Sequence, residues 1–172
     1  MSQLPPADDK PDFKLEPRQM KVDTWTIERI RSIIECEPFA ILCTRWDDQP
    51  HGSLVAFAAD DDLTGIVFAT PAASRKYRLL QVCDRVVLVI DTRSSAAGGF
   101  LDIEVITATG RAIEATNDAD RRRLGRRLSD RHAYLEAFVS APTSALFRID
   151  VDVYEHVSRF QEIRAWHLPS RR

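Results

Sequence analysis

The chain has almost no net charge, few cysteines and no long apolar run, and each shortage closes off a class of function. Its 24 lysines and arginines face 26 aspartates and glutamates, so no global field draws it to nucleic acid or to an anionic membrane. Any anion site must be local. The three cysteines, Cys36, Cys43 and Cys83, are odd in number and widely spaced in apolar stretches. They are expected to be reduced core thiols rather than a disulfide frame or a zinc knuckle, which points to the cytoplasm. No apolar run approaches the ~20 residues of a membrane helix, and the polar, proline-bearing start does not read as a signal peptide. G-x-S-x-G, H-E-x-x-H, the Walker loop and G-x-G-x-x-G are all missing, so no catalytic residue can be named. His51, His132, His156 and His167 show no ligand spacing, and no metal site is expected. Asp47-Asp48 and Asp60-Asp61-Asp62 are read as turns rather than as cation ligands.

What is present suits a single domain over residues 23–172, preceded by an arm over residues 1–22 that carries Pro5, Pro6, Pro11 and Pro17 among charges. Trp25, Ile27, Ile30, Ile33 and Ile34 make one helical stripe that ends before Pro38. Phe39 to Trp46 and His51 to Ala58 read as a hairpin, and Arg85 to Asp91 is apolar enough for a strand buried on both faces. Ser94 to Gly99 has the composition of a flexible loop. A long strand follows over Asp102 to Glu114, with a bend expected at Gly110. Asn117 caps a helix, a second helical piece lies near Arg131 to Val139, and Phe147 to Val157 alternates as a last strand. About six strands grouped together with few helices predict a mainly β fold, an antiparallel barrel with appended helices.

Two stretches carry chemistry. Gly65 to Leu80, GIVFATPAASRKYRLL, reads as a strand ending at a Thr70-Pro71 turn, with these two at the cap and first turn of a basic helix. Thr70, Ser74, Arg75 and Lys76 would give a bound anion hydroxyls, cations and free helix amides. An ordinary strand-to-helix connection explains the same residues equally well. The second stretch, Ser53 to Phe57, is small and apolar enough to lie against a flat ring through its backbone, or simply to pack in the core. The arginine run Arg121 to Arg127 is read as a solvated helix face, because aspartates flank it and no stacking aromatics interrupt it.

Gly65 through Val67-Phe68, Thr70 and Ser74-Arg75-Lys76 to Leu79, followed by Asp84-Arg85-Val86, resembles the flavin mononucleotide (FMN)-binding split barrel of the pyridoxamine 5'-phosphate oxidase-like superfamily. The likeness runs over roughly residues 25 to 166. It implies a six-stranded antiparallel split barrel in which Thr70, Ser74, Arg75 and Lys76 hold the flavin phosphate and Ser53, Leu54, Val55 and Ala56 lie beside the ring. It also implies a homodimer with FMN at the interface, Trp166 reaching the flavin from the partner chain, and hydride or electron transfer to a small substrate. The oxidase's substrate lysine falls on Ala59 and its strand glutamine on Val105. Its arginine-x-histidine motif is not reproduced over Glu162 to His167, so pyridoxamine phosphate is not expected as the substrate. A deazaflavin-dependent reductase, a haem-binding relative with His51 or His156 as axial ligand, and a non-catalytic dimeric module are the alternatives.

Overall fold

The computed structural model describes residues 18–94, 102–159 and 161–169. In chain order the elements are β1 (Arg18–Gln19), α1 (Thr24–Cys36), β2 (Phe39–Trp46), β3 (Gln49–Ala59), β4 (Gly65–Pro71), α2 (Arg75–Val82) and β5 (Arg85–Asp91). They continue as β6 (Val105–Glu114), α3 (Asp118–Arg131), α4 (Glu136–Ser140), β7 (Ser144–Ser158) and β8 (Glu162–His167). The sheet runs β1-β8-β7-β4-β3-β2-β5-β6, and β6 pairs back onto β7, which closes six strands into a barrel. β7 spans 15 residues and makes the closure possible. Its first half joins β4 on one edge, its second half joins β8 there, and β6 follows it along the other edge.

The alternating strands send one face inward. Leu42, Phe57, Phe68, Leu88, Ile106, Phe147, Ile149 and Tyr154 fill the barrel, and burying each such side chain contributes roughly 1.5–3 kcal/mol. Phe68 stacks on Phe147 with centroids 5.4 Å apart, and Tyr77 of α2 meets Phe147 edge-on. Ile30, Ile33 and Ile34 of α1 complete the same core. The strand registers place α1 at one end of the barrel, beside the turn from β3 to β4, and α2 at the other. A second core forms where α3 and α4 lie on the outer face of the sheet, through Val67, Leu124, Leu128, Val139 and Leu146.

Several expectations need correction. Thr70 and Pro71 close strand β4 and do not cap the helix; Ser74 does, accepting a hydrogen bond from the Tyr77 amide at 3.1 Å. Three more residues are needed to turn the chain away from β7. Val86, Leu88 and Ile90 of β5 are buried, whereas Val87 and Val89 on its other face are only half covered. Helix α3 runs on to Arg131, so the second helical piece starts slightly later, as a 3-10 turn over Ala133–Leu135 followed by α4. None of the cysteines is a core thiol: Cys36 is exposed, Cys43 and Cys83 are half-buried, and all are free. Two strands join the expected six. β8 extends β7, and β1 pairs with it in parallel, Arg18 opposite Glu162. Residues 1–17 of the arm and the Ser95 to Gly99 part of the expected loop lie outside the described residues.

Gly110 sits where the β6–β7 register shifts, so the expected bend is a bulge. A Cβ there would run into the Asp150 carbonyl. Gly110→Val should therefore cost about 1–3 kcal/mol of overpacking, read as a lower denaturation midpoint with the slope unchanged.

One buried polar knot ties α1 to the barrel. His156 is fully buried on β7, and its Nε2 lies 2.6 Å from Glu104, which also accepts from Arg29 of α1 at 2.5 Å. Trp25 and Arg164 complete its surroundings. Burial pushes the His156 imidazole below its ordinary value, partly offset by Glu104, and leaves Nδ1 without a partner among the described residues. Burial raises the Glu104 carboxyl, but the hydrogen bonds from Arg29 and His156 together outweigh it and hold it low. A histidine that resists protonation when folded leaves the unfolded chain to take up the proton below about pH 6.5. Stability should thus hold near pH 7 and fall as the pH drops below that value. In urea titrations from pH 7 to pH 5, His156→Gln should show a shallower loss than the parent.

Candidate functional site

The expected anion turn and ring strand do meet, and strand pairing explains how. β3 pairs with β2 from Gln49 to Ala56, but with β4 only through Phe57–Phe68, Ala58–Val67 and Ala59–Ile66. β4 then leaves β3 and continues along β7 to Thr70–Ala145 and Pro71–Ser144. The edge of β3 over residues 49–56 that would face β4 therefore has no strand partner among the described residues. In an antiparallel ladder, alternate residues give their peptide groups to opposite edges. Ala58 pairs toward β4, so Leu54 and Ala56, two and four residues earlier, offer their N–H and C=O to the open edge. The Leu54 carbonyl is met there by Lys76 Nζ at 3.5 Å.

Helix α2 starts beside this opening. Thr70 is buried, and its hydroxyl bonds that of Ser74 at 2.9 Å; Ser74 also receives the Tyr77 amide. The Ser74 amide itself donates to Pro71 O, which tightens the turn. The amides of Arg75 and Lys76, in the first turn, have no carbonyl within the helix to bond and carry its positive end. Arg75 is exposed and has no ion-pair partner among the described residues. Lys76 is half-buried, and burial lowers its ammonium below the ordinary lysine value, because its single, long contact to Leu54 replaces little of the lost hydration.

The ring-strand residues divide between two faces. Ser53 and Val55 point inward with Phe57, while Leu54 and Ala56 point outward; Leu54 is 63% exposed. Ser53 Oγ is buried on the inward face without a partner among the described residues, a donor and acceptor left over next to the opened edge. Free helix amides, an uncompensated half-buried cation, an unpaired guanidinium, an orphan hydroxyl and a strand edge fit a phosphate carrying a planar, hydrogen-bonding ring. Several hollows on the described residues, up to about 510 Å³, lie elsewhere.

Other expected residues stand apart. Trp166 stacks on Tyr154 at 5.7 Å and pairs with it across β7–β8. Tyr154 and Ala145, the partner of Thr70, are about 30 Å apart along β7 at ~3.3 Å per residue. Trp166 therefore does not reach the α2 corner of its own chain. His156 turns its Nε2 to Glu104 inside the protein, whereas His51 on β3 is half-exposed and its ring has no hydrogen-bond partner among the described residues. Ala59 gives its carbonyl to Arg127 of α3 at 2.8 Å. No group of three or more metal-binding side chains occurs among the described residues. Lys76's approach to Leu54 was not foreseen, because only the divergence of β4 brings the two together.

The family model for pyridoxamine 5'-phosphate oxidase matches residues 26–158. Curated proteins give no match. Among solved structures, the chain is similar to a haem-binding protein from Mycobacterium smegmatis (TM-score 0.71, 16% identity), covering 81% of this chain and 57% of that one. It is also similar to a Clostridium acetobutylicum protein related to general stress protein 26, described as of the pyridoxinephosphate oxidase family (TM-score 0.68, 11% identity, 86% and 97% covered). A third is an FAD-binding protein from Mesorhizobium loti (TM-score 0.61, 13% identity, 75% and 91% covered). At these identities the structures share the fold. With most of the barrel inside the matched span, the chain belongs to the pyridoxamine 5'-phosphate oxidase-like split-barrel family.

Proposed function

We propose that the protein is an FMN-binding oxidoreductase, working as a cytoplasmic homodimer on a small substrate that is not pyridoxamine phosphate. The observation that carries this reading is the half-buried Lys76 ammonium beside free helix amides at the opened edge of β3. Arg75, Lys76 and the first amides of α2 bind the phosphate. Thr70 holds Ser74, which keeps its own hydroxyl proton for the ligand when Thr70 donates. Leu54 and Ala56 present peptide groups to the ring edge, with Ser53 and Val55 behind them. Bound FMN would supply the redox chemistry, and the protein positions it and limits water around it.

Exposed apolar side chains support the dimer. Phe39, Trp46, Leu54 and Val82 are exposed large apolar side chains on or beside this half of the barrel. A second copy seated there would cover them and close the open corner. Trp166 would then meet the partner's flavin. The mycobacterial neighbour described as haem-binding supports the haem alternative, for which His51 is the accessible ligand and His156 is not. FMN is favoured because the α2 corner supplies anion donors and cations, which haem iron does not need.

FMN titration, followed by the flavin's visible absorption, tests the reading. Arg75→Ala with Lys76→Ala removes two charge-assisted contacts of about 1.5–3 kcal/mol each, so affinity should fall about 100-fold or more. The melting temperature of the apoprotein should hardly move, since little core is lost. Unchanged FMN affinity in a folded double variant would refute the phosphate assignment.

The pH dependence carries a second signature. Lys76 contributes only while protonated, so affinity should be steady below its lowered pKa and decline as the pH rises through it. Lys76→Met should bind more weakly throughout and lose that alkaline decline. A decline equally steep in Lys76→Met assigns the titration to another group.

A further inference from the structure

Across the outer face of the barrel from the flavin corner, α3 and α4 enclose a cleft of about 490 Å³, within the range of small-ligand pockets. Its floor is apolar, made by Gly125, Val139 and Leu146. A side chain at Gly125 would find only Leu146 Cδ1, 4.0 Å from its Cβ, so the missing side chain opens the cleft. Arg121, Arg122 and Arg126 stand over this floor.

These arginines are not spent on the fold alike. Arg121 Nη2 donates to Ser144 O at 2.9 Å. Arg122 and Arg126, one helical turn apart, have neither an ion-pair partner nor a hydrogen bond among the described residues. The other arginines of α3 do: Arg123 pairs with Asp120, Arg127 with Asp61, and Arg131 caps three carbonyls at the end of α1. Asp118 and Asp130 lie a further turn out at each end of the Arg122–Arg126 row, and Glu136 faces it from α4. The two unpaired guanidiniums thus stand at the centre of the cleft, with carboxylates at its margins.

We propose that this cleft is a second ligand site, for a small organic anion whose carboxylate or phosphate is held by Arg122 and Arg126 and whose apolar body lies on Gly125, Val139 and Leu146. Guanidinium forks match either oxyanion in two-point hydrogen bonds, and the apolar floor excludes a bare inorganic ion as the best ligand. The site is independent of the flavin reading, because it shares none of the proposed FMN-binding residues.

Benzoate is a suitable probe, with benzyl alcohol as its neutral counterpart, followed through the methyl resonances of Val139 and Leu146. Benzoate should shift both saturably, and benzyl alcohol at least tenfold more weakly. Arg122→Gln with Arg126→Gln should weaken benzoate tenfold or more, Glu136→Gln should tighten it, and Gly125→Leu should abolish it by filling the floor. The glutamine variants change exposed groups only and test the charge even where Gly125→Leu disturbs the helix. Equal binding of benzoate and benzyl alcohol, unchanged binding in the double glutamine variant, or no saturable shift would overturn the proposal.

Discussion

The structure turns on the short partnership of β3 and β4. Three residue pairs hold them, after which β4 follows β7 and β3 follows β2. An unpaired strand edge is costly unless water or a ligand satisfies it, so the divergence leaves a row of peptide groups with a standing need for partners. The same divergence lets Lys76 of α2 reach that row, at the Leu54 carbonyl. Closure elsewhere stabilises this opening. With β6 returning to β7, the rest of the barrel has no free edge to slip along.

Polar staples hold the far end. Arg131 donates to the carbonyls of Ile34, Glu35 and Glu37 while its guanidinium lies 4.6 Å over the Phe57 ring. It thereby satisfies the end of α1 and anchors α3 to the barrel. Arg148 joins Asp60 and Asp150 across the turn between β3 and β4, and fills the space a side chain at Gly65 would need. Together with Glu104 and His156, these contacts fix the end where β3 and β4 are still paired. Buried ion pairs add little net stability over apolar packing, but losing one partner strands a charge. Their effect is to define where the two strands begin to part, and so where the corner beside α2 opens.

The barrel was legible because its strands alternate cleanly and Gly110 marked its bulge. The added strand β8 was harder to see. Glu162 and Arg164 put two charges on the same strand face as Trp166, and only β7 running past β4 offers the segment an edge. The cap moved from Thr70 to Ser74 because either hydroxyl suits a helix start, and the path of β4 along β7 decides between them. Ser74-Arg75-Lys76 could be read directly, being contiguous.

Sequence alone determined the apolar runs that bury Phe57, Phe68 and Phe147, the basic start of α2 and the lack of the familiar contiguous catalytic motifs, since these depend on neighbours in the chain. Tertiary structure decided which peptide groups of β3 stay unpaired, which arginines of α3 remain free, and that Lys76 loses water beside Leu54. Those are outcomes of strand register and of competition among distant partners, and a register is a property of two segments that neither segment carries by itself.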